Sequence, residues 1–136
     1  MRKAAIVIAA VWFVGGCYRQ SPSPPMEARR LSEDEFAARA AAIQKTCELA
    51  AVYVGRDDDR AAALVAQARE ETVAAMRGAP DAWRGVLFAA AYARLDRAAF
   101  TLEGAGSYNL PLSSSEAENI RRELIATADD LAAVAG

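Results

Sequence analysis

The chain has 136 residues, 54% of them hydrophobic and 25% charged, which is material for one folded domain and rules out a multidomain organisation. Its 16 basic and 18 acidic side chains leave no basic excess to neutralise a phosphate backbone, so nucleic acid is not an expected partner. Histidine is absent and cysteine occurs twice, which excludes Ser-His-Asp and Cys-His catalysis, c-type haem attachment and Cys/His zinc sites.

At the N-terminus, Arg2 and Lys3 precede an unbroken apolar run from Ala4 to Val14, followed by Gly15, Gly16 and Cys17. These are the basic, apolar and small-residue regions of an export signal. The apolar run reaches only about 16 Å as a helix, against a hydrocarbon core of ~30 Å, so a membrane span is the weaker reading. Val14-Gly15-Gly16-Cys17 resembles the lipobox of bacterial lipoproteins, in which a branched apolar residue and two small ones precede the cysteine that is lipidated. The resemblance covers residues 1 to 17 and implies a signal peptide over 1–16, an acylated Cys17 as mature N-terminus, and a lipid-anchored protein of the cell envelope. Tyr18 stands where an Asp would favour inner-membrane retention, which implies the outer membrane, facing the periplasm, in a Gram-negative source. Loss of Arg2 and Lys3 leaves 14 basic against 18 acidic residues, a net charge of −4, and Cys47 as the single unlipidated thiol.

Residues 17–31 carry Ser21-Pro22-Ser23-Pro24-Pro25 and no apolar periodicity, the composition of a semi-extended tether. The folded domain is expected over 32–136 as four helices. Ser32 with Glu35 forms a capping box ahead of Phe36, Ala40, Ile43, Cys47, Ala50 and Val54, a stripe that Gly55 ends. After Asp57-Asp58-Asp59, a second stripe runs Ala61, Leu64, Val65, Ala68, Thr72, Ala75 and Met76, closed by Gly78. Pro80 suits the first turn of a third helix running to Glu103, before Gly104. Its segment from Val86 to Ala93 is apolar on every side, which predicts the most buried helix, with Ala89-Ala90-Ala91 admitting close backbone approach. Ser113 and Ser115, each followed three residues on by a Glu, offer two starts for the fourth, with Ala117, Ile120, Leu124, Ala128, Leu131 and Val134 on one face. Short connections at 55–58 and 78–79 predict antiparallel neighbours, hence an all-α, up-and-down four-helix bundle.

No pattern in the domain points to catalysis, a metal or a cofactor, so it is read as noncatalytic. Cys47 sits in the first stripe as a small core residue, with a reactive thiol as the lesser alternative. Asp57, Asp58 and Asp59 lack the spacing of a calcium loop and suit a helix N-terminus. Glu48, Glu70, Glu71, Glu123, Asp129 and Asp130 fall largely on polar faces and lack the His partners of a di-iron bundle. Arg94 lies at the edge of an apolar face, to snorkel, pair with an acid or read a carboxylate. The 104–112 connection is long and carries Tyr108, Leu110 and Leu112, either as a partner-binding edge or as a plug for the open end of the bundle. The expected function is a lipid-anchored adaptor that binds another envelope protein, similar in general plan, though in no motif, to the small helical pilot lipoproteins of secretion systems. The alternative is a carrier of an apolar small ligand between alanine-rich helices.

Overall fold

A computed structural model describes residues 29–135. The signal segment 1–16, Cys17 and the tether as far as residue 28 lie outside the described residues. Four helices follow: α1 (Glu33–Tyr53), α2 (Asp58–Arg77), α3 (Ala82–Ser107) and α4 (Ser114–Ala135). Each packs on its neighbours in sequence, and α1 also packs on α4, so the four close into a ring around one core. With short connections this is an all-α, up-and-down four-helix bundle.

The helix starts follow from side chains that satisfy free backbone amides. Ser32 Oγ accepts from the Glu35 amide at 3.1 Å while Glu35 accepts from the Ser32 amide at 2.9 Å, the reciprocal pair of a capping box. Of the two candidate serines, Ser113 is the cap of α4, paired with Glu116 in the same way, and Ser115 lies inside the helix. Asp57 caps α2, accepting from the Arg60 amide at 3.2 Å. Asp81 caps α3, accepting from the Arg84 amide at 2.9 Å. Pro80 therefore lies ahead of the cap, not in the first turn, because the Asp carboxylate satisfies the amide that a proline would merely have removed.

The helix ends depart further from expectation. Gly55 turns α1 at φ 84°, a conformation that costs an L side chain about 1–2 kcal/mol. Gly78 serves differently. Its backbone is not left-handed, but a Cβ there would meet Leu31 Cγ at 2.9 Å and the Arg29 carbonyl at 3.0 Å. The Leu31 amide donates to the Gly78 carbonyl at 2.7 Å, so Arg29 to Leu31 lie against the α2–α3 turn. α3 does not stop at Glu103. It continues through Gly104 and Gly106, since Leu102 is buried and Ala105 half-buried, and it ends where Asn109 takes φ 56°. The Leu110 amide bonds the Ala105 carbonyl at 2.9 Å and the Asn109 amide the Gly106 carbonyl at 3.1 Å, the two bonds of a Schellman motif.

Phe36, Ile43, Cys47, Val65, Phe88, Leu95, Leu124 and Leu131 fill the centre, with the Phe36 and Phe88 rings 4.5 Å apart. α3 is not the most buried helix. Phe88, Ala91, Leu95, Ala98, Ala99 and Leu102 are buried and Leu87 packs against them, while Val86, Ala89, Ala90 and Ala93 are exposed. Its apolar middle has two sides, and the ring of four covers only one. Among the described residues, no helix is long and apolar enough to cross a membrane.

Candidate functional site

One end of the bundle holds the α1–α2 turn and the α3–α4 connection. Because α3 runs on to Ser107, that connection is residues 108–113, and its form is set by the Schellman turn. Tyr108 and Leu110 are 77% and 62% exposed, whereas Leu112 is half-buried and packs against the core. The interface and plug expectations thus divide among the three: Leu112 helps close the end, and Tyr108 and Leu110 face solvent.

Two grooves meet at Leu110. One, of about 370 Å³, lies between the end of α3 and the start of α4, with Phe100, Gly104, Tyr108, Leu110, Leu112 and Glu116 among its walls. The other, of about 360 Å³, lies toward α2 and brings Asp58 and Asp59 beside Leu102, Asn109, Leu110 and Pro111. The acidic turn therefore rims the apolar loop, as an up-and-down order requires. Gly104 and Gly106 keep the floor low: a Cβ added at either meets nothing within 4 Å. Phe100, 79% exposed, belongs to this surface although the loop sequence alone did not single it out.

The acidic turn is tied up structurally. Asp57 caps α2, and Asp58 accepts from the Gly55 amide at 2.7 Å. Arg121 closes the same end from α4, donating to the Val54 carbonyl at 3.0 Å and to Glu118 at 2.7 Å. It also borders a third groove, of about 440 Å³, with Val52 and Ile125 on its walls. Among the described residues no group of acids, cysteines or histidines converges on a metal position.

Arg94 pairs with Asp130 on α4 at 2.6 Å, both partly exposed. Arg97 pairs with Glu123 at 3.3 Å, and Arg69 on α2 with Asp96 on α3 at 3.0 Å. These carboxylates bridge helices, and surface pairs of this kind contribute about 0–1 kcal/mol each. Glu71 departs from the polar-face expectation: it is half-buried, and its Oε1 has no hydrogen-bond partner among the described residues. It borders a hollow of about 110 Å³ with Arg39, Ala42 and Ile43.

Cys47 is fully buried, and burial, helped by the charges of Glu48 and Glu71, pushes its thiol up to about 12. A thiol held protonated is neither nucleophile nor metal ligand. The chain matches no protein-family model, no curated protein and no solved structure.

Proposed function

We propose that this chain is a lipid-anchored, noncatalytic binding module of the bacterial cell envelope that acts through a protein partner. Its binding surface is the bundle end bearing Phe100, Tyr108 and Leu110. The observation that carries the reading is the grouping of these three exposed apolar side chains around one groove, with Glu116 on its wall and Asp58 and Asp59 in the adjoining groove on the other side of Leu110. Single exposed apolar residues are ordinary, but a contiguous set inside a polar rim is how protein interfaces are composed. The lipobox-like segment ending at Cys17 supplies the anchor, with the outer membrane, periplasmic side, as the expected location. A carrier role finds less support, because the centre of the bundle is filled by Phe36, Phe88 and their neighbours and the larger hollows described are open surface grooves.

Two measurements test the reading. Fatty-acid labelling in the producing cell should mark the wild type and spare Cys17→Ser; equal labelling removes the anchor. Partner recovery from the envelope should be lost on replacing Tyr108 and Leu110 together by Ser, with helical content and Tm unchanged. If the double variant recovers the same partners as wild type, the surface lies elsewhere.

A further inference from the structure

α3 carries two apolar stripes on opposite sides. The inner one, Phe88, Ala91, Leu95, Ala98 and Leu102, builds the core. The outer one, Trp83, Val86, Ala90, Ala93, the Arg97 stem and Phe100, repeats the same alternation of three and four, and its apolar members are left uncovered by the bundle, with Trp83 62%, Val86 68% and Phe100 79% exposed. That spacing is the seam of a helix that packs on another helix.

We propose that the chain forms a two-fold dimer in which the outer stripe of α3 packs antiparallel on the same stripe of a second copy, about an axis between Ala91 and Tyr92. This inference goes beyond the loop-end reading above and does not depend on it; only its fit to a bilayer rests on the lipid anchor proposed there. The occupant follows from the register. In an antiparallel pair each position faces its counterpart across the axis, which sets Trp83 opposite Phe100, Val86 opposite Arg97 and Ala90 opposite Ala93, with every pairing made twice. No like charges face each other. Arg97 is drawn toward Glu123 at 3.3 Å, leaving its methylene stem to cover Val86 of the partner subunit. Shape agrees, because alanines at the centre allow close approach where two helices cross, and bulky aromatics fill the ends where they diverge.

The area also suffices. The exposed parts of Trp83 and Phe100 supply roughly 200–350 Å², and Val86, Ala90, Ala93 and the Arg97 stem raise the stripe to roughly 500 Å² per copy and about 1,000 Å² for the pair, at the threshold of a specific interface. The anchors are compatible with the arrangement. The chain enters beside the start of α3, where Arg30 donates to the Pro80 carbonyl at 3.0 Å. In this register Ala82 faces Thr101 of the partner subunit, so the two starts of α3 stand about 30 Å apart. Residues 17 to 28 measure up to about 37 Å at ~3.1 Å each, enough for both lipids to enter one bilayer. The loop ends then lie at opposite ends of the dimer, each still exposing Tyr108 and Leu110, while Phe100, a wall of the same groove, is covered by the partner subunit's Trp83.

The test is disulfide trapping of the full-length chain in the membranes of the producing cell under mild oxidation. The parent chain gives the background: Cys47 is buried with its thiol protonated, and any adduct through Cys17 forms equally in the parent and is subtracted. Val86→Cys combined with Arg97→Cys, and Ala90→Cys combined with Ala93→Cys, should each give a covalent dimer. Val86→Cys alone and Arg97→Cys alone should not, because each then faces a residue without a thiol. Adding Trp83→Glu should lower dimer yield at least tenfold, while the exposed position leaves the fold and Tm unchanged. Dimers from either single variant mean parallel or random pairing and overturn the proposal. So do adducts with a protein of different mass, or monomer from both double variants in protein that melts like wild type.

Discussion

Cys47 is the residue at which burial has the plainest chemical consequence. A thiol in water titrates near 9.0, whereas here burial raises it to about 12, so between these values the unfolded chain has released a proton that the folded chain still holds. Stability present below pH 9 is then lost as pH rises, by about 1.4 kcal/mol per pH unit across that window. Cys47→Ala removes this dependence and leaves a gap the size of one sulfur, at a cost of about 1–2 kcal/mol near neutral pH. Chemical denaturation of both proteins from pH 7 to pH 11 should show the wild type losing its advantage above pH 9. Parallel curves, or fast labelling of native wild type at Cys47, would contradict the burial. At acid pH the sensitive groups are Glu35 and Asp81. Bonds to backbone amides, from Ser32 and Arg84 respectively, hold both carboxyls below their usual range, so both caps weaken as pH falls through those lowered values.

At the scale of the element, α3 shows how a helix with two apolar sides misleads a reading by periodicity. An apolar run such as Val86 to Ala93 signals burial all round only if every side has a neighbour, and periodicity counts sides without counting neighbours. The signal that separates the alternatives was present as two interleaved stripes offset by two residues, one ending in Leu102 and the other in Phe100. Gly104 misled in a related way. A glycine ends a helix when the chain turns left-handed there, and this chain makes that turn at Asn109. Because Gly104 and Gly106 are helical with open space where a Cβ would stand, replacing either by Ala should stabilise the domain by about 0.5–1 kcal/mol. Gly104 also floors the groove beneath Phe100 and Tyr108, so Gly104→Ala should raise Tm while weakening partner recovery. A Tm that falls would mean that the helix does not run through this position.

At the scale of the whole molecule, the fold was legible because each local signal pointed to the same bundle: the capping box at Ser32, the stripes of α1, α2 and α4, and short connections that force antiparallel neighbours. The site was legible only in part. Tyr108 and Leu110 stand out in a polar loop, but Phe100 is invisible until the bundle shows which side of α3 is uncovered. The shared core supports the sharpest test of the register, since Leu124 and Ile125 are adjacent in sequence yet 1% and 43% exposed. Leu124→Asp places an unpaired carboxylate among the core residues of all four helices, a change of about 4 kcal/mol or more against a total of about 5–15 for a domain. Ile125→Asp places the same charge on the wall of the α1–α4 groove, where water reaches it. Circular dichroism with thermal melting should show the first variant largely unfolded and the second within a few degrees of wild type. Equal tolerance of both would mean that α4 does not present Leu124 to a common core, and the bundle register would fall with it.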